Sequence, residues 1–338
     1  MKKNRLLFLL FFLLFFLVAA DVFLGSVRLP AADVWQAMLG NSPEGFAYKI
    51  VWNFRIPKML TALMAGMALS VCGVQMQTLF RNPLADPYVL GISSGAGLGV
   101  ALFVMGTSLF PVLTTVSWLA NLGTAAFAWM GALAVMLLVV AASKRLKSNM
   151  GLLILGFMIG SAGSALISLL QYFSDAPALK HYVLWTMGSF SNVTGQRLLI
   201  MASLCLAGMV VSVRNIKDLN TFLMGQSYAK SLGVSTTRIR NRIFLATTLL
   251  AGSVTAFCGP IGFIGIAVPH MCRMIFGNAN HRTLIPASAL LGASMMLLAD
   301  IISQLPGTGS VLPVNTVAAL MGIPIIIYVI LKNKAVDL

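Results

Sequence analysis

Apolar runs of about 20 residues recur along this chain, separated by shorter polar stretches. A helix of that length spans the roughly 30 Å hydrocarbon core of a bilayer. The pattern therefore predicts ten membrane helices, at about 6–24, 58–80, 91–110, 117–141, 150–172, 197–213, 241–258, 260–277, 284–303 and 312–331. The first run follows Lys2, Lys3 and Arg5. It exceeds the usual core of a cleavable signal peptide, so a retained span is expected there. A polar segment through Trp52 follows it. Residues 174–196 return to the same side, with a short surface helix expected over 178–189 and Trp185 at headgroup depth. The longest polar interruption runs from Asn215 to Arg242. Within it, residues 222–233 read as one short amphipathic helix ended by Gly233 in the left-handed conformation.

Composition agrees: 59% of residues are apolar and 9% charged. The fold class expected is an all-α polytopic membrane protein, one transmembrane domain over 1–338. A net charge of +15 would suggest nucleic acid in a soluble domain. Here the basic residues lie between the apolar runs, so topology accounts for them and no nucleic-acid role is assigned. Ten spans place both termini in the cytoplasm. The inner segments then hold Lys2, Lys3, Arg5, Arg81, Lys144, Arg145, Lys147, Arg214, Lys217, Lys230, Arg238, Arg240, Arg242, Arg273, Arg282, Lys332 and Lys334, which is 17 of the 23 basic residues. The outer side keeps Arg28, Lys49, Arg55, Lys58, Lys180 and Arg197, the asymmetry that the positive-inside rule requires.

Ala65-Gly66, Cys72-Gly73 and Pro83 recur 186 positions later as Ala251-Gly252, Cys258-Gly259 and Pro269. Chance in a chain rich in Gly and Ala is one reading. The other is an inverted internal repeat, because the first copy runs inward and the second outward. Gly91, Gly95 and Gly99, and again Gly156 and Gly160, give small-residue faces for close helix packing.

Groups able to do chemistry are few. Cys72, Cys205, Cys258 and Cys272 sit in apolar runs without ligand spacing, and His181, His270 and His281 are scattered. No metal site, active site or cofactor of the chain's own is expected. The sequence contains no Gly-Lys dipeptide, so the phosphate-binding loop built on Gly-Lys-Ser/Thr is missing and ATP, with its Mg, would have to be used by a partner subunit. Asp300 is the one acid placed inside a span, towards its outer end, where structural hydrogen bonding is expected. A stand-alone secondary transporter would need more such groups.

Five motifs in order carry a resemblance. They are Arg55-Ile56-Pro57-Lys58; Arg81-Asn82-Pro83-Leu84-Ala85-Asp86-Pro87 with Leu90-Gly91; Gly225 to Gly233; Gly259 to Gly265 with Val268-Pro269-His270; and Leu298-Ala299-Asp300. Together they resemble the FecCD family of importer permeases over nearly the whole chain. The resemblance implies a homodimer of ten-helix subunits in the inner membrane. Two cytoplasmic ATPase subunits attach to it, and a periplasmic substrate-binding protein delivers the ligand. It also implies a cargo among iron(III)-siderophores, haem and cobalamin, with iron chelates placed first. A bare ion would need ligands that the spans do not supply, so the cargo is expected to bring its own coordination shell.

The resemblance gives residues roles as well. Gly225, Ala229, Leu232 and Gly233 resemble the coupling segment that contacts the ATPase. Arg55 and Lys58 resemble the basic pair that receives acids of the binding protein, with headgroup anchoring as the plainer alternative. Asn82, Asn149 and Met150 fall at the cytoplasmic gate. Two departures stand out: Gln304 occupies a position that is basic in the cobalamin branch, and Asn149-Met150 replace small hydroxyl residues.

Overall fold

The computed structural model describes residues 2–41, 43, 45–106, 117–146, 148–225, 229, 231, 233, 235–277, 280–304 and 311–332. The described residues form helices joined by short connections: α1 (Lys2–Phe23), α2 (Ala31–Met38), α3 (Phe46–Phe80), α4 (Ile92–Val104), α5 (Ser117–Ser143), α6 (Asn149–Tyr172), α7 (Ala176–Thr186), α8 (Gly195–Arg214), α9 (Ile216–Leu223), α10 (Thr236–Cys258), α11 (Ile264–Phe276), α12 (His281–Ser303) and α13 (Val314–Lys332). Seven of them are long and apolar enough to cross a membrane, and α4, α11 and α13 contain shorter apolar helices. These ten correspond to the ten expected spans. The helices α2, α3 and α7 extend ordered structure into the connections expected on the outer side, where the apolar period alone gives only α7. The N-terminal part of α3, up to Trp52, falls in the polar segment expected there.

Helix ends follow local chemistry. Asp175 and Asn280 accept main-chain N–H groups from Ala178 (3.1 Å) and Arg282 (2.9 Å) at the starts of α7 and α12. At the end of α3, Arg81 turns the chain with φ of 49°, and Pro83 follows, where a helix could not continue.

The long helix α3 is the centre of the bundle. Gly66 faces Gly292 of α12 and Gly73 faces Gly265 of α11 so closely that neither site has room for a Cβ. Ser70 Oγ donates across the same seam to the Ser288 carbonyl at 2.7 Å. Backbone approach of this kind is the main source of helix association in lipid, where no hydrophobic force acts between helices.

Contacts also fix relative direction. Gly66 with Gly292 and Ser70 with Ser288 make α3 and α12 antiparallel. Gly95 meets Gly131 and Gly99 meets Phe127, so α4 and α5 are antiparallel, whereas Gly91 and Ser94 follow Gly156 to Gly163 and make α4 and α6 parallel. Alternating spans demand this arrangement. Met76 receives the Thr247 hydroxyl at 3.6 Å, placing α10, the second copy of the suspected repeat, directly beside α3, the first.

The four cysteines are buried thiols dispersed through the core, as their apolar surroundings implied.

Candidate functional site

Polar chemistry concentrates at the two ends of α3. At its N-terminal end, which is the outer end in the expected topology, α1 stops at Phe23 and leaves carbonyls without helical partners. Arg55, on the π-turn Val51–Arg55 of α3, satisfies them. Its Nη1 donates to the carbonyls of Val22 (2.8 Å) and Phe23 (3.0 Å), and Nη2 donates to that of Val27 (2.7 Å). The guanidinium fills the space beside Gly25, where a Cβ would collide with it. Arg55 is 7% exposed. The sequence places this charge outside; the structure turns it inward, because the orphan carbonyls of α1 offer several acceptors to one planar fork.

One turn further along, Lys58 Nζ lies 3.0 Å from Asp300 Oδ1 of α12. Asp300 is fully buried. Gln304 Nε2 completes the cluster by donating to Asp300 Oδ2 (2.8 Å) and to Asp21 Oδ1 of α1 (3.1 Å). An amide nitrogen has two hydrogens, so this one side chain joins α1 to α12. The structural hydrogen-bonding role expected for Asp300 is the one observed. Arg55 and Lys58 are thus brought together, but in separate interior contacts rather than as an open basic pair.

At the other end of α3, Asn149 Nδ2, from the first residue of α6, donates to the Leu79 carbonyl at 2.8 Å. Asn82 Oδ1 accepts the Leu84 N–H at 2.9 Å and so closes the turn after Arg81. Met150 is exposed beside Asn149. The three residues assigned to the gate therefore gather around the α3 terminus. His270 Nε2 contacts the Pro83 carbonyl at 2.9 Å, and Arg273 donates to Gln77, so α11 also packs here. Asp86 accepts the Tyr88 N–H at 2.9 Å, and burial pushes its carboxyl up to about 6, against the smaller opposing effect of that hydrogen bond.

The polar interruption differs from its reading as one helix over 222–233. A separate helix, α9, ends at Leu223, and Gly225 follows with φ of 113°. A conformation open chiefly to glycine breaks the run there. Ala229 and Ser231 are helical, and Gly233 adopts the left-handed conformation expected of it, with φ of 76°. Leu232 lies outside the described residues. Ala229 is fully buried within the chain. Leu223 and Met224 instead expose apolar surface, 44% and 68%. Sequence reasoning left Arg81 without a role: its Nη2 reaches the Phe222 carbonyl at 3.4 Å and lies against Gly225, tying the α3 terminus to this loop.

Comparison with known proteins decides the family. The pattern of the FecCD transport family matches residues 11–332. The chain belongs to the FecCD transport family. Among FecCD-type relatives, it is 37% identical over 314 residues to the hemin transport system permease protein HmuU of Yersinia pestis, covering 92% of each chain. It is 36% identical over 309 residues to the vitamin B12 import system permease protein BtuC of Citrobacter koseri, covering 91% of this chain and 90% of that one. A solved structure described as an inward-facing conformation of a metal-chelate type ABC transporter superposes with a TM-score of 0.83 at 29% identity, over 97% of this chain and 99% of the other. The family resemblance carried by the five motifs is thereby borne out.

Proposed function

We propose that this chain is the membrane-spanning permease subunit of an ATP-driven importer of metal chelates in the inner membrane. The observation that carries the reading is the end-to-end likeness to a metal-chelate type ABC transporter, at an identity high enough to extend beyond fold. Two copies form the pathway at their shared axis, and it opens alternately to each side. Both termini and the 215–242 loop face the cytoplasm. Two ATPase subunits dock there and hydrolyse ATP with Mg, so the chain itself is no enzyme. The exposed Leu223 and Met224 supply apolar contact area, and Gly233 sits in open space where a partner can approach closely. Gly225 and the buried Ala229 shape the loop from within.

On the outer side a periplasmic binding protein delivers the cargo. Arg55 and Lys58 are occupied inside the chain, so we assign the encounter field to exposed Arg28, Lys49 and Lys180, which the alternating helices bring to that same end. Asn82, Asn149 and Met150 form the cytoplasmic constriction.

The cargo is a chelate in which the metal arrives already ligated. Ferric siderophores are kept first among the chelates that the family resemblance implies. The haemin and vitamin B12 permeases among the relatives keep both macrocycles in the comparison. A stand-alone ion-coupled carrier is disfavoured because the carboxylate it would use, Asp300, is bound to Lys58. Isolation of the chain from its native membrane tests the class: an ATPase subunit should co-purify, and its consistent absence would remove the proposal.

A further inference from the structure

His281 is the first residue of α12, is fully buried, and has no part in the roles assigned above. Its imidazole stands between α9 and α3, whose C-terminal ends are also tied by Arg81 through the Phe222 carbonyl. Nδ1 lies 2.9 Å from Asn220 Oδ1 on α9, and Nε2 lies 2.8 Å from Thr78 Oγ1 on α3. The same Asn220 oxygen accepts the His281 main-chain N–H at 2.8 Å, and Asn220 Nδ2 donates to Asn280 Oδ1 at 3.1 Å.

The Asn220 contacts place the Nδ1 proton. A main-chain N–H only donates, so the Asn220 atom that receives it is the oxygen, and Nδ1 must carry the hydrogen that it shares with that oxygen. No carboxylate is among the ring's hydrogen-bond partners to favour an imidazolium. On the α3 side Nε2 lies 2.8 Å from the Thr78 hydroxyl, whose single hydrogen is shared between this ring and the Val74 carbonyl, also at 2.8 Å. The ring is a bridge, donating towards α9 and hydrogen-bonded to Thr78 on α3.

The helix α9 bears the exposed Leu223 and Met224 at its C-terminal end and is seated on the bundle by buried Leu219 and Phe222. A push on the loop reaches α9 first. Apolar contacts allow a helix to slide, whereas the hydrogen bonds of Asn220 to the side chain and backbone of His281 fix its register against the start of α12. We propose that His281 is the positioning residue that transmits displacement of α9 to α3 and α12. This rests on the permease reading above, since it requires an ATPase seated on the loop.

The test uses the assembled complex with its ATPase, reconstituted in lipid, and needs no cargo. A spin label at Leu298→Cys, on the exposed face near the far end of α12, reports the distance between the two copies with and without ATP plus vanadate. The original chain should show a nucleotide-driven shift. His281→Leu should keep the ATPase attached and hydrolysing yet lose that shift. His281→Gln should restore it, because a glutamine amide can hydrogen-bond to both Asn220 and Thr78 where leucine can bond to neither. Should His281→Leu fail to assemble, Thr78→Val and Asn220→Ala serve instead. Because both act through one ring, the double variant should lose no more than the more damaging single change. A shift that persists in His281→Leu, or no shift in the original ATPase-bound complex, overturns the proposal. A chain to which no ATPase binds at all overturns the permease reading instead.

Discussion

Lys58 Nζ and Asp300 Oδ1 lie 3.0 Å apart where the N-terminal half of α3 meets the C-terminal end of α12, with the carboxylate fully sealed from solvent. Removing one member of a buried pair leaves the other charge uncompensated, at a typical cost of about 3–5 kcal/mol, whereas replacing both with apolar groups is often neutral. Lys58→Met should therefore sharply lower the thermal midpoint of the purified chain, and Lys58→Met with Asp300→Leu should recover most of it. A double variant as unstable as the single one would show that the pair does more than balance charge.

Arg55 holds two carbonyls at the end of α1, those of Val22 and Phe23, and a third, that of Val27, in the connection beyond it. Lysine keeps the charge but has no planar fork. Arg55→Lys should loosen α1 while leaving the other helices packed, and Arg55→Ala should do so more strongly. Proteolysis between α1 and α2 and hydrogen exchange at residues 20–28 measure this. Unchanged protection in Arg55→Ala would remove the capping role.

Asp86 provides a pH signature. Its carboxyl is raised from 3.8 to about 6 in the folded chain, so between those values the native state holds the proton more tightly than the unfolded state. Stability from this group is present at low pH and falls as pH rises through that window. Asp86→Asn keeps an oxygen for the Tyr88 N–H and cannot titrate. The midpoint of the original chain should decline from pH 4 to 6 relative to that of Asp86→Asn, and parallel curves would contradict the assignment.

Docking should depend on Arg28, Lys49 and Lys180. Reversing all three to Glu should slow capture of the loaded binding protein, most visibly at about 10 mM salt, where the screening length is near 30 Å. An unchanged rate at that salt would return the docking role to Lys58, which keeps 13% side-chain exposure.

Much of the fold was legible because a membrane makes span length a physical constraint: ten apolar runs gave ten apolar helices. The direction of the Arg55 side chain was not legible. It depends on where α1 ends, and a local reading of charge sees only a basic residue near the outer surface. The loop was half legible, since Gly233 was recognised as a left-handed stop while Gly225, equally a break, was read as part of a helix. His281 could not be found from spacing, because Asn220 and Thr78 are 61 and 203 positions away and meet it only in the folded bundle. Gln304 looked like a lost charge and is instead the amide that bridges Asp21 and Asp300.

The central claim is ATP-driven movement of a ligated metal through this permease. Vesicles carrying the chain, its ATPase and its binding protein should be offered a ferric siderophore, haemin, cobalamin and free ferric ion in parallel. The account predicts ATP-dependent uptake of at least one chelate and none of the free ion. Uptake of the unchelated ion alone, or chelate uptake that proceeds without ATP, would contradict it.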